Sequence, residues 1–295
     1  MGTVLALLLA LLPTPPAPSG VEAVVLGIAQ DGGVPHLGCR QQLCVEARKD
    51  PAKKRRVASL GLIDRASGKR FLIDATPDIE SQVRELGGMP DGILLTHAHI
   101  GHYLGLAQLG REVASTRSLA VFCTPSMARF LRENRPWSRL VERENIAIRE
   151  IEPGVEFALS DSLRATALKV PHRDEDSDTV AYIVAGPAKK LLWLPDIDKW
   201  EKWDRSLEEV VRGVDAAFLD GTFFSAEELP GRSIAEVPHP LVGETISRLS
   251  SGKSAANVFF VHLNHTNRLL WDPREVQRLR AKGFGVAREG QRIPL

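Results

Sequence analysis

The chain has 295 residues, 43% hydrophobic and 25% charged, with a formal net charge of +1. That is ordinary globular composition, and it supplies no basic field of the kind nucleic-acid binding needs. Three cysteines, Cys39, Cys44 and Cys123, are too few for a disulfide scaffold.

The N-terminus reads VLALLLALLPTPPAPSG from Val4. The apolar run falls short of the ~20 residues a membrane-spanning helix requires, so no stable membrane span is expected. Small residues beyond the run resemble a secretory signal peptide, although no Lys or Arg precedes it. Export to the periplasm or the exterior is the expectation. A disordered tail, or a misplaced start codon on a cytoplasmic protein, is the alternative. Residues 1–22 are therefore set apart from one domain spanning residues 23–295.

AVVLGIA predicts a strand that runs into the Gly/Pro-rich loop QDGGVPHLGC. The basic run Lys53–Arg56 reads as a solvated loop rather than a phosphate site. VASLGLID and RFLIDA predict two strands joined by the turn RASGK. PDIESQVRELGG follows as a helix with a glycine stop. GILLT is a buried strand, LAVFC another, and PSMARFLREN a helix. IAIREI, LRATALKV, TVAYIVA and KLLWL are strands. VDAAFLD (strand), VGETISRLSS (helix), NVFFVHL (strand) and PREVQRLRAKG (helix) complete the chain. No repeat or interdomain linker interrupts this order. Strand-rich blocks separated by helices predict a layered α/β or α+β domain, two sheets inside and helices outside.

Five of the eight histidines stand at or just past predicted strand ends. His97, His99 and His102 follow GILLT, His172 follows ATALKV, and His262 closes NVFFV; Asp196 follows KLLWLP. Strand ends at one sheet edge can converge where loops build sites. Imidazole and carboxylate together suit zinc, iron or manganese. His97 and His99, two apart on an extended segment, face one side and can grip one ion. A turn into the next helix swings His102 toward a neighbouring position.

THAHIGH resembles the His-x-His-x-Asp-His signature of the metallo-β-lactamase superfamily. The resemblance implies an αββα four-layer sandwich with one or two divalent metals, zinc or iron, at the sheet edge. It places His97, His99 and His172 on the first metal, His102 and His262 on the second, and Asp196 between them. FLIDATPDI matches the early strand-plus-Asp motif, with Asp74 buttressing the site loops. QDGGVPHLGC, IDATPDI, LDGTFF and HLNHTN together resemble the branch of the pyrroloquinoline quinone biosynthesis B protein and related phosphodiesterases, from residue 24 onward. Gly101 stands where the signature has its Asp, a ligand of the second metal. An unequal pair of metals, or a single one, is the expectation. Gly101 leaves room for a bulky group, and Gly101→Asp is expected to raise occupancy of the second position.

The leading functional expectation is a metal-dependent hydrolase of a small-molecule substrate that uses metal-activated water beside Asp196. Asp78, Asp174, Asp178, Asp220 and His239 are outer catalytic candidates, Asp78 being equally readable as a helix N-cap. The branch resemblance implies an alternative, an iron-dependent oxidative step or a carrier role in pyrroloquinoline quinone biosynthesis. A non-catalytic, metal-retaining binding protein is the third reading. Likeness to phosphodiesterases of the superfamily further implies a structural zinc held by Cys39, Cys44 and His265, with His36 as fourth ligand. The loop here has two cysteines where three are usual. A Cys39–Cys44 disulfide, favoured by an oxidising compartment, and two free thiols are the rivals. Cys123, on an apolar strand, reads as a core thiol.

Overall fold

The computed structural model describes residues 20–250 and 256–295. Residues 1–19 of the predicted leader lie outside the described residues, whereas Val21 and Glu22 open the first strand. Among the described residues no helix is long and apolar enough to cross a membrane.

Among the described residues fourteen strands form two sheets. The first holds β1 (Val21–Gly27), β2 (Ser59–Asp64), β3 (Lys69–Ile73), β4 (Gly92–Leu94), β5 (Leu119–Cys123) and β6 (Ile146–Glu150). The second holds β7 (Glu156–Ala158), β8 (Arg164–Val170), β9 (Thr179–Ala185), β10 (Lys190–Leu194), β11 (Ala216–Asp220), β12 (Asn257–Val261) and β13 (Phe284–Val286). The last strand, β14 (Arg292–Pro294), returns to the first sheet beside β1. The orders are β14-β1-β2-β3-β4-β5-β6 and β13-β12-β11-β10-β9-β8-β7. In each sheet an antiparallel half gives way to a parallel one, at β3–β4 and at β10–β11.

Sequence alternation explains the layering, because successive side chains on a strand point to opposite faces. Leu60 and Leu62 of β2, with Phe71 and Ile73 of β3, join Tyr182, Trp193 and Phe218 in a core between the sheets. Ile63 and Leu72, one residue out of step, pack outward under helices. Those helices are α2 (Ile79–Leu86), α3 (Ile100–Tyr103), α4 (Pro125–Glu133) and α5 (Trp137–Glu142), which follow α1 (Gln42–Lys49) in the chain. On the other side α6 (Leu207–Arg212), α7 (Val242–Ser250) and α8 (Pro273–Ala281) cover the second sheet. Helix, sheet, sheet and helix make the expected four layers.

Local signals set the helix bounds. Thr124 accepts the Met127 N–H, and Pro125 occupies the first turn of α4, where a missing N–H costs nothing. Gly87, at φ 87°, ends α2 and returns its N–H to Arg84 and Val83 carbonyls; only glycine takes that left-handed cap without strain.

Two ties matter for function. Ala29, just past β1, bridges both Val57 and Leu263, and so joins the sheets at one edge. Val180 N–H and the Tyr182 hydroxyl, both on β9, donate to the carbonyls of Thr96 and Leu95 at 3.0 and 2.7 Å. These bonds fix the tail of β4 against the second sheet.

Candidate metal centre

The parallel strands end at the tied edge, and each sheet brings a similar buttress to it. In the first, Asp74 follows β3 in a left-handed conformation, φ 68°, which Asp tolerates better than most residues. Its Oδ1 accepts the Thr96 N–H at 2.8 Å and the Thr96 hydroxyl at 3.0 Å. Its Oδ2 lies 2.8 Å from His102 Nδ1, and Thr96 Oγ1 lies 3.0 Å from His97 Nδ1. In the second sheet Asp220 ends β11. Its Oδ1 accepts the Thr222 N–H and hydroxyl at 2.9 and 2.7 Å, and its Oδ2 lies 2.8 Å from His239 Nδ1. Thr222 Oγ1 stands 3.0 Å from His262 Nδ1. A carboxylate on Nδ1 holds the proton there and leaves Nε2 free as a ligand.

The free nitrogens converge on Asp196, which is 3% exposed. Its Oδ2 lies 3.0 Å from His102 Nε2, 3.2 Å from His262 Nε2 and 3.9 Å from His97 Nε2. Its Oδ1 lies 3.7 Å from His172 Nε2. Donor atoms of His97, His99 and His172 fall within 4.8 Å of one another, as do those of Asp31, His102 and His262. Asp196 forms a further such group with His97 and His102. Buried Nε2 atoms of His97, His102, His172 and His262, with Asp196 Oδ2 and Asp31 Oδ1, have no hydrogen-bond partner. Buried polar groups are normally paired, so this set fits cations. It can coordinate one or two divalent ions, and zinc suits both nitrogen and carboxylate ligands.

The electrostatics agree. Burial, followed by the charge of His102, drives the His97 imidazole well below its ordinary value. Burial pushes His172 down to about 4 and also lowers His262. These rings are neutral at neutral pH, the form that ligates metal. Burial opposes charge on His102 and His239 as well, but Asp74 and Asp196 together outweigh it for His102, and Asp220, Asp196 and Asp31 do so for His239, so both are raised. Burial disfavours the Asp196 carboxylate, yet His262, His102 and His172 hold it well below the usual carboxylate range.

All six residues expected at the two metal positions are therefore brought together, and Asp220 and His239 join them. Asp78 does not. It precedes α2 without a side-chain cap bond, and its Oδ2 instead accepts the Val57 N–H at 2.8 Å. It ties the start of α2 to the segment leading into β2. Asp174 accepts the Thr179 hydroxyl at 3.3 Å, and Asp178 accepts that of Thr124; both brace loops rather than face the cluster.

The expected structural zinc set is also not assembled. His36 and His265 stack with centroids 4.4 Å apart and planes 22° apart. Cys44 Sγ accepts the His36 N–H at 3.3 Å, Cys39 Sγ accepts that of Gln41 at 3.4 Å, and both thiols are free. No three donor atoms of His36, Cys39, Cys44 and His265 form a ligand group among the described residues. Cys123 is a buried thiol, pushed up to about 12 by burial.

Asp31 is a candidate ligand that the sequence reading did not include; it follows a strand, as the other candidates do, but lies in a Gly-rich loop whose chemistry was read from its cysteines and His36.

Comparison with known proteins bears on the same residues. A family model described as "Beta-lactamase superfamily domain" matches residues 69–263, from the start of β3 to Leu263, just past His262. The chain belongs to that superfamily. Among curated members, the coenzyme PQQ synthesis protein B of Rhizobium meliloti (strain 1021) is 26% identical, over 94% of this chain and 99% of that protein. Among solved structures, Zn2+-bound PqqB from Methylobacterium extorquens superposes with a TM-score of 0.78 at 22% identity, covering 93% of this chain and 100% of that one. A diphosphatase from the PhnP family gives 0.69 at 21% identity, covering 92% and 96%. These likenesses establish for the superfamily member described here the metallo-β-lactamase sandwich that the histidine signature implied.

Proposed function

We propose that this protein is a metal-dependent hydrolase acting on a small molecule with an ester-, phosphodiester-, thioester- or lactam-type bond. The observation that carries the reading is the standing of two donor groups, His97–His99–His172 and Asp31–His102–His262, around Asp196, with the Nε2 atoms of His97, His102, His172 and His262 buried and unpartnered and His99 Nε2 3.2 Å from Glu175. His97, His99 and His172 would hold one ion, His102 and His262 the other, with Asp196 reaching both. Divalent ions supply Lewis-acid polarisation and water activation near neutral pH.

The chain's own groups do the rest. Asp74 and Asp220 fix ring tautomers through Nδ1 contacts. His239, anchored to Asp220 and raised by it, retains a proton it can pass to a leaving group through its other nitrogen. Ile100, 57% exposed, and Leu104, 40% exposed, flank α3 and offer apolar contact to a substrate.

A second reading, an iron-dependent oxidative step or carrier role in pyrroloquinoline quinone biosynthesis, is favoured by the near-complete span of the match to coenzyme PQQ synthesis protein B. Histidine and carboxylate ligands accept iron as well as zinc. Elemental mass spectrometry of the purified protein, with a substrate panel of those four bond types, separates the readings. Zinc with turnover supports hydrolysis, iron without hydrolysis supports the second, and full metallation with no chemistry of either kind leaves a metal-retaining binding protein. The leader-like N-terminus adds a proposal of export, which sequencing the mature N-terminus checks.

A further inference from the structure

The second metal position, on the proposed reading, lacks the acidic ligand that the signature sets at residue 101. The loop after β1 contains a candidate replacement. Gln30 N–H donates to the Leu263 carbonyl at 3.0 Å, and Gly33 N–H closes a turn onto the Gln30 carbonyl at 2.7 Å. Asp31 is the second residue of that turn. Through Leu263, the turn is pinned one residue beyond His262.

The turn also abuts α3. A Cβ built on Gly101 would lie 2.2 Å from Asp31 Oδ1 and 2.7 Å from its Cα, closer than real atoms approach. The Asp31 carboxylate thus fills the space a side chain at 101 would enter. Asp31 Oδ1 is buried with no hydrogen-bond donor and lies 3.7 Å from His102 Nε2. It forms one ligand group with His102 and His262. A buried, unpaired carboxylate oxygen is costly unless a cation meets it.

We propose that Asp31 is the carboxylate ligand of the second metal position, entering from the first loop in place of an acid at 101, and that glycine at 101 is what gives it room. The proposal supplies charge as well as geometry. Two dications facing neutral imidazoles would otherwise have Asp196 as their only direct carboxylate. It also reverses an expectation drawn from sequence. Gly101→Asp places its Cβ on the Asp31 carboxylate and backbone, so it weakens the second position instead of filling it.

Zinc stoichiometry after loading and dialysis, together with stepwise cobalt(II) titration followed by absorption, tests this in wild type, Asp31→Asn and Gly101→Ala. Wild type is expected to hold two equivalents. Asp31→Asn is expected to keep the first, bound by His97, His99 and His172, and to bind the second more weakly by at least about tenfold, the lower bound for losing even an outer partner of a ligand. Retention of the first equivalent also reports that the variant has folded. Gly101→Ala, which must displace Asp31, is expected to behave in the same way. Asp31→Glu, which keeps the charge, is expected to recover part of the second equivalent, as a purely structural loop residue would not. Two tight equivalents in Asp31→Asn, or a wild type limited to one, overturn the proposal while leaving the hydrolase reading standing. A wild type that takes up no metal removes both.

Discussion

Asp74 shows how much of this centre depends on single side chains. One carboxylate accepts the Thr96 backbone and hydroxyl and faces His102 Nδ1, and it does so from a left-handed backbone position. Asp74→Asn keeps shape and tolerates the same φ but removes the charge that holds the His102 proton. It is expected to lower metal affinity by about 10–100-fold while leaving the circular dichroism spectrum unchanged; zinc competition against a chromophoric chelator measures it. At this scale the six candidate ligands were legible because each closes or follows a hydrophobic strand. Asp31 was not, since its relation to Gly101 exists only once the turn and α3 touch. The structural zinc set, expected from a likeness, is not drawn together either. Likeness to phosphodiesterases grouped His36, Cys39, Cys44 and His265, and among the described residues no three of their donor atoms lie close enough to share an ion.

Among elements, α3 is the one that carries His102, and it docks backbone to backbone. Ala75 N–H donates to the His102 carbonyl and Gly105 N–H to the Ala75 carbonyl, each at 2.8 Å. A Cβ on Gly105 would lie 2.1 Å from the Thr76 carbonyl oxygen. Gly105→Ala must therefore push α3 off the loop that bears Asp74. A loss of about 1–3 kcal/mol in urea unfolding is expected, the usual range for overpacking. Weaker binding of the second metal should accompany it, and a variant as stable as wild type would contradict this account of the contact. Strands such as β5, β9 and β10 and helices such as α4 and α8 were readable because their patterns ran long enough to show a period. The strands β7, β13 and β14, each three residues long, and the six-residue helices α5 and α6 were too short for that signal.

The molecule as a whole is two sheets joined at the edge where its donors lie. Each predicted ion position takes ligands from both sheets, so metal binds the folded state and not the unfolded chain. Saturation at about one hundred times Kd should add about 2.7 kcal/mol. Stripping metal with a chelator is expected to lower Tm by several degrees, reversibly on reloading; differential scanning calorimetry reads it, and an unchanged Tm would mean the ions do not link the halves. The four-layer architecture was legible from alternating strands and flanking helices, whereas the matching of one half to the other was not, because it is a relation between distant segments. That matching has a practical side. Asp74 with Thr96, and Asp220 with Thr222, brace their imidazoles through separate sets of atoms. A recognition segment grafted onto one leaf would leave the hydrogen bonds of the opposite relay in place, while the ion positions, which draw on both leaves, would still feel it.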